Sequence, residues 1–354
     1  MKIENILKDI LNQYGFKISD VSISAFGTGL INRTWLVTDE KSSKQFILQR
    51  INHAVFKSPE AIAENISLID AFIKKNYPDY LFEAPLKTIE GQDMVKANDE
   101  YFRLYRFVEG SHTVDVVQDS KQAYEAAKQF GKFTANLTNF DVNLLKITLP
   151  DFHNLPLRFE QFKMSLKNGN PQRIKQCKKT IQKLLDYGYI AEEATKITKM
   201  PIRVIHHDAK ISNVLFDREN KGMCLIDFDT IMPGYYISDI GDMMRTYLSP
   251  ICEEENDGTK HEIRMDFFEA IVSGYMSEMG NVLTSLEKSY FVYSGSFMIY
   301  MQALRFITDY LNNDVYYGAK YETHNLVRGE NQLALLQRYA DKEKIMQSIV
   351  ARSF

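Results

Sequence analysis

His206-His207-Asp208-Ala209-Lys210-Ile211-Ser212-Asn213 is the segment of this chain best equipped to do chemistry. It has the form H-x-D-x-K-x-x-N, and Ile226-Asp227-Phe228-Asp229 follows it at hairpin distance. Transfer of a phosphoryl group onto a hydroxyl asks for three things. A carboxylate must orient the hydroxyl and take its proton, hard oxygen ligands must hold a divalent cation against the phosphates, and a cation must offset charge on the moving group. Asp208 suits the first role, Asn213 with Asp227 the second, and Lys210 the third. Asp229, two residues beyond Asp227, points to the same face of a strand. It is a further metal ligand or an acceptor of backbone hydrogen bonds. His206 is placed to brace the loop from behind. The apolar runs Val204-Ile205 and Val214-Leu215-Phe216 would pin the loop between buried strands, leaving its polar residues to reach a cleft. A lone H-x-D is a weak signal. The full spacing, between two apolar runs and followed by apolar-Asp-apolar-Asp, is a strong one.

The elements that must position this loop are readable from periodicity. VSISAFGTGLINRTWLVT is two β-branched runs around a glycine turn, and KQFILQRI is a third strand. Gly27 and Gly29 in the turn let backbone approach phosphates closely, with Asn32 as a side-chain donor. On the third strand, alternation lets only one of Gln49 and Arg50 face the cleft, and register favours Gln49. PEAIAENISLIDAFIKKNY reads as a helix with Ile62, Ile66, Ile69 and Phe72 on one stripe; Glu64 is its candidate acid for the cleft. LFEAPLKT, GQDMVKA and EYFRLYRFVEG read as strands, the last leading into a hinge at Phe107–Gly110. An adenine would be read there by backbone groups from Arg106 to Val108. From about residue 118 the pattern turns helical, interrupted by the strand island that carries the loop. The expected architecture is α+β and bilobal. A small β-rich nucleotide-binding lobe with one long helix spans residues 1–107, and a larger, mainly helical catalytic and acceptor-binding lobe spans 108–354.

Bulk composition narrows the class. The 354 residues are 45% hydrophobic and 25% charged, the profile of a globular chain. A formal net charge of −3 gives no sign of nucleic-acid or anionic-membrane binding. Cys177, Cys224 and Cys252 show no metal spacing and read as buried thiols. The N-terminal Ile3, Ile6, Leu7, Ile10, Leu11 pattern is an amphipathic surface helix interrupted by charges, neither a signal peptide nor a span, so a reducing cytoplasm is the expected compartment.

The loop and the Asp-x-Asp strand resemble those of the aminoglycoside phosphotransferase and choline kinase superfamily, whose fold is protein-kinase-like. Within it the chain is similar to N-acetylhexosamine 1-kinases over nearly its whole length. The matching segments are GTGLINRTWLVT, FILQRIN, HHDAKISNVLFD, IDFDTIMPG, SDIGDMMR, LRFITDYLNNDVYY and HNLVRGENQL. The resemblance implies ATP- and Mg²⁺-dependent phosphorylation of the anomeric hydroxyl of N-acetylglucosamine or N-acetylgalactosamine. It also implies that Thr230, Arg305 and Tyr316 contact the sugar, with Asp208 at the anomeric hydroxyl. Asp239 and Asp242 would brace the catalytic loop, as similar acids do in related folds. Arg305 and Asp309, four apart on a helix, share a face and are free to pair. One departure stands out: protein kinases grip the phosphates with a lysine on the third strand, and this strand has none. Two rival readings follow. One keeps the chemistry with choline, ethanolamine, homoserine or an aminoglycoside as acceptor; the other is a non-catalytic nucleotide sensor.

Overall fold

The computed structural model describes residues 2–27 and 32–353. Gly29, expected in the phosphate-binding turn, lies outside the described residues. Gly27, before the turn, has φ +76°, a conformation that glycine adopts without strain.

The chain opens with α1 (Lys2–Gln13), then β1 (Val21–Ala25), β2 (Arg33–Asp39), β3 (Lys44–Ile51), α2 (Pro59–Asn76), β4 (Val95–Ala97) and β5 (Glu100–Arg106). The five strands form one antiparallel sheet in the order β1-β2-β3-β5-β4. LFEAPLKT, expected as a strand, contributes only an isolated bridge from Leu86 to Leu104. Leu7, Ile10 and Leu11 of α1 are buried with Val37, Leu48, Phe102 and Leu104 of the sheet, which closes a small core on one face. The helix α2 behaves differently. Its stripe of Ile62, Ile66, Ile69 and Ile73 is buried in the larger core of the second lobe, with Phe82, Phe140 and Phe228. The buried Asn65 fastens it there: Nδ2 donates to the carbonyls of Lys146 (2.9 Å) and Ile231 (3.0 Å), and Oδ1 accepts from the Lys146 N–H (2.8 Å). α2 therefore lies between β3 and β4 of the small sheet in sequence but is anchored to the large lobe by apolar burial.

The second lobe begins with α3 (Ser120–Asn136), capped by Asp119, and α4 (Leu155–Asn168), capped by Asn154. The segment 172–197, helical by pattern, is divided into α5 (Pro171–Gln176), α6 (Lys178–Asp186) and α7 (Tyr189–Glu193) with a 3₁₀ turn after them. The island resolves into β6 (Arg203–Ile205), β7 (Val214–Phe216), β8 (Gly222–Leu225) and β9 (Met232–Gly234), paired antiparallel as β6 with β9 and β7 with β8. α8 (Ile237–Tyr247), α9 (Met265–Met279), α10 (Ser285–Ser289), α11 (Phe291–Leu311) and α12 (His324–Arg352) complete the lobe. Cys177 and Cys224 are buried as expected, whereas Cys252 is exposed. Among the described residues no helix is long and apolar enough to cross a membrane.

Candidate active site

The catalytic-loop candidate runs from the end of β6 to the start of β7, with apolar strands buried on both sides. Its backbone is held from α8. The Asp239 carboxylate accepts the N–H groups of His206 (3.1 Å) and His207 (2.7 Å), and the Tyr247 hydroxyl donates to the Ala209 carbonyl (2.7 Å). Burial raises the Asp239 pKa, while the two backbone donors pull the other way. His206 lies behind the loop against Phe130 and Phe228, and its Nε2 donates to the Ile226 carbonyl (3.0 Å). His207 has φ +66° and packs its ring against Gly234 so closely that a Cβ there would meet Nε2 at 2.4 Å. The glycine of IMPG is thus required by a close approach.

This scaffold brings Asp208, Lys210 and Asn213 together. Lys210 Nζ lies 2.7 Å from Asp208 Oδ2, and Asn213 Nδ2 donates to the same oxygen (3.0 Å) and to the Asp208 carbonyl (2.8 Å). Asn213 Oδ1 receives no donor among the described residues, which leaves it available to a cation. Asp227 follows β8 in the left-handed region (φ 63°, ψ 60°), a conformation uncommon for a non-glycine residue. Its carboxylate has no hydrogen-bond donor among the described residues. Burial first, then the carboxylates of Asp229 and Asp208, pushes its pKa up. A carboxylate with no donor and an uncommitted amide oxygen are the kind of donor set a hard divalent cation takes.

Asp229 is placed otherwise. Its Oδ1 lies 2.5 Å from Arg103 Nη1, and its Oδ2 accepts from Asn32 Nδ2 (2.8 Å). Oδ1 is thus ion-paired and Oδ2 hydrogen-bonded to the small lobe, unlike the Asp227 carboxylate beside it. Asn32 departs from expectation: its amide goes to Asp229 and its carbonyl to the Asn52 N–H (2.9 Å), so it joins the lobes instead of offering a free donor to phosphate. Gln49 faces inward and accepts from Arg103 Nε (3.0 Å) and Nη2 (2.6 Å), while Arg50 faces outward to Glu100 (2.7 Å). Glu64 is exposed and pairs with Lys146, away from the cleft. Arg106 ends β5 at the hinge and is exposed. Val108 is half-buried, its carbonyl accepting from the Ser111 hydroxyl (2.6 Å).

On the acceptor side, a groove of about 680 Å³ lies between α4 and α11, lined by Arg158, Gln161, Arg305, Thr308, Tyr316 and Tyr317 among others. Arg305 does not pair with Asp309. It reaches Gln302 Oε1 (3.0 Å) and the Tyr316 hydroxyl (3.4 Å), because Asp309 is turned to the N–H groups of Tyr316 (2.8 Å) and Tyr317 (2.9 Å). Arg158 donates to Gln161 and to the Asp151 carbonyl, and its pKa is lowered by burial and by Arg305. Arg158 Nε, Thr308 Oγ1 and the Tyr317 hydroxyl are buried without a partner. Phe152 and His153 stand between the groove and the loop: Arg305 lies 5.7 Å from the Phe152 ring centroid, and the His153 and His207 rings are 5.4 Å apart. Thr230 is not in the groove. It is buried, and its hydroxyl donates to the His206 carbonyl (2.5 Å), so it braces the loop where a sugar contact was expected.

Residues 22–267, well over half of the chain, match the model of the phosphotransferase enzyme family. The chain belongs to that family. Its fold is similar to that of a microcompartment-associated aminopropanol kinase (TM-score 0.65, 16% identity, 96% of this chain and 98% of that one). It is similar also to spectinomycin phosphotransferase solved with ADP and spectinomycin (0.56, 14%, 96% and 98%). A third likeness is to choline kinase from Cryptosporidium parvum (0.54, 14%, 98% and 96%). The protein is thus an α+β, bilobal, protein-kinase-like phosphotransferase.

Within that family fold, the residue that sequence reasoning missed is Arg103. The available signal was a cation inside the apolar run Tyr101-Phe102-Arg103-Leu104, a position that is costly unless a partner is buried with it. Burial alone would lower its pKa, and the adjacent Asp229 more than offsets this. Arg245, the last residue of SDIGDMMR, pairs with Asp242 (2.9 Å) and Glu253 (3.3 Å).

Proposed function

We propose that this phosphotransferase is an ATP-dependent kinase that converts an N-acetylhexosamine, N-acetylglucosamine or N-acetylgalactosamine, into its 1-phosphate. The kinase chemistry rests on Asp208, Lys210, Asn213 and Asp227 converging at one loop. Asp208 would orient the anomeric hydroxyl and take its proton, Lys210 would offset charge on the transferred group, and His206, Thr230 and Asp239 hold the loop still. Asn213 and Asp227 are the residues that would hold Mg²⁺, which supplies charge neutralisation at the phosphates when bound. The nucleotide would lie beneath the turn at Gly27, its adenine against the backbone from Arg106 to Val108.

The choice of acceptor is carried by one observation. The groove beside the loop presents two guanidinium groups, Arg158 and Arg305, and neither has a carboxylate partner among the described residues. Its acids are committed elsewhere, Asp309 to backbone N–H groups and Glu160 to Lys163. A cationic acceptor would meet like charge there, because Arg305 already lies over the Phe152, Tyr316 and Tyr317 rings, whereas hydroxyls and an acetamido carbonyl accept from arginines and tyrosines. This favours a neutral, oxygen-rich acceptor such as the hexosamine that the sequence resemblance implies. The second reading, phosphorylation of choline, ethanolamine, homoserine or an aminoglycoside, draws on the fold likeness to kinases of amino alcohols and aminoglycosides.

Incubation with ATP, Mg²⁺ and a panel of sugars and amines, read by phosphorus NMR, tests the proposal. An anomeric phosphate on an N-acetylhexosamine is the expected product. Turnover of an amine with none of any sugar would overturn it in favour of the second reading.

A further inference from the structure

The cation that the nucleotide side of the cleft lacks on β3 is present on the neighbouring strand. Gln49 and Arg103 are directly opposite each other in the β3–β5 register, so their side chains share a face of the sheet. A guanidinium is a rigid fork of five N–H donors. Here one edge of the fork, Nε with Nη2, is fixed by Gln49 Oε1 at 3.0 and 2.6 Å, and Nη1 reaches Asp229 Oδ1 at 2.5 Å. Arg103 is 2% exposed and Asp229 1%. The second Asp229 oxygen takes the Asn32 amide (2.8 Å), and Asn32 is fixed in turn by the Asn52 N–H (2.9 Å). Two points of the small lobe thus hold one carboxylate of the large lobe.

A buried ion pair is poor value as a stabiliser, because desolvation offsets most of the attraction. What it does well is set position. Asp229 lies in the 3₁₀ turn Phe228–Thr230 that directly follows Asp227. Asp227 is held left-handed there, with its carboxylate free of donors. We propose that Arg103 is a positioning residue for phosphoryl transfer. Acting through Asp229, it fixes the turn that aims Asp227, with Gln49 holding the guanidinium in place. The missing β3 lysine and the second acid of the Asp-x-Asp pair are then two halves of one device. The proposal rests on the kinase reading above and concerns only how Asp227 is aimed.

Two measurements on Arg103→Met, Arg103→Lys, Gln49→Met, Asp229→Asn and the double variant Arg103→Met/Asp229→Asn test it. The first is steady-state kinetics with Mg²⁺ varied. The second is Mn²⁺ binding in the presence of ADP, followed by electron paramagnetic resonance, which needs no acceptor. For Arg103→Met, the expected result is a loss of about 10–100-fold in both kcat and Mn²⁺ affinity, the range typical of residues that orient a metal ligand. The acceptor KM should stay unchanged. Arg103→Lys should recover part of the loss, and Gln49→Met should show a smaller one. The double variant should be no worse than Arg103→Met alone, because both changes break the same contact. Wild-type Mn²⁺ affinity in a folded Arg103→Met or Gln49→Met variant would overturn the proposal, as would losses that multiply in the double variant. If the wild type transfers phosphate to no acceptor while Mn²⁺ affinity still depends on Arg103, the kinase reading fails and the positioning role stands.

Discussion

The two sides of the cleft are prepared in opposite ways. On the nucleotide side, Asp208, Asp229 and Asp239 already have partners: Lys210 and Asn213 for the first, Arg103 and Asn32 for the second, and two backbone N–H groups for the third. In the acceptor groove, Arg158 Nε, Thr308 Oγ1 and the Tyr317 hydroxyl have none, and Arg305 meets only neutral groups. The difference follows from what each side must receive. Clustered carboxylates repel one another, and unless cations and N–H groups hold them the loop would deform before a polyphosphate arrived. The neutral acceptor proposed above would offer no such charge. Discrimination would then come from the donors left open for it, because an analogue lacking the matching oxygens would strand them unpaired. One side is built by pairing, the other by withholding pairs.

The contrast can be tested at several strengths. The largest effect is expected at the single carboxylate that both sides share. Asp208→Asn keeps the shape but removes the base, and kcat should fall by about 10²–10⁴-fold while ATP binding persists. Single-turnover phosphotransfer alongside calorimetric nucleotide binding would check this, and a near-normal kcat would remove Asp208 from its role. Next is the loop's own brace. Asp239→Ala strands the His206 and His207 N–H groups in the interior, at about 1–3 kcal/mol each. Thermal unfolding should shift down by several degrees, with kcat reduced and the KM for the acceptor little changed. A smaller and more selective effect is expected in the groove. Arg305→Met should raise the acceptor KM by about 10–100-fold through loss of a charged hydrogen bond, and leave the ATP KM alone. If the KM for ATP moves instead, the groove is not the acceptor site. The smallest effect belongs to the outward half of β3. Arg50→Ala removes a partly exposed pair with Glu100, so stability should change by less than about 1 kcal/mol and kcat should hold. A large kcat loss there would mean that Arg50, and not Gln49, serves the cleft.

Where sequence reasoning succeeded, the physics was local. The third strand spans Lys44–Ile51, the residues read from apolar alternation; alternation put Gln49 and Arg50 on opposite faces, and their contacts with Arg103 and Glu100 show which is which. The α2 helix spans Pro59–Asn76 with Ile62, Ile66 and Ile69 buried as read, and Ile73 in place of Phe72 completes the stripe. Periodicity shows that such a stripe must be buried, but not against what, so the core that receives α2 was not legible. The long helical pattern over 172–197 breaks at Cys177 and again before Tyr189, since short helices depend on the surfaces they meet.

The sequence by itself pointed to the candidate centre, because H-x-D-x-K-x-x-N sets Asp208, Lys210 and Asn213 within one short loop, where the structure brings them together. The tertiary structure alone decided the assignments that depend on partners far apart in the chain. It joined Asp229 to Arg103, set the Thr230 hydroxyl against the backbone of the loop, and freed Arg305 by turning Asp309 to the backbone. The physical reason is the same in each case. A side chain with several possible hydrogen bonds takes the partner that burial leaves within reach, and burial is a property of the packed lobes.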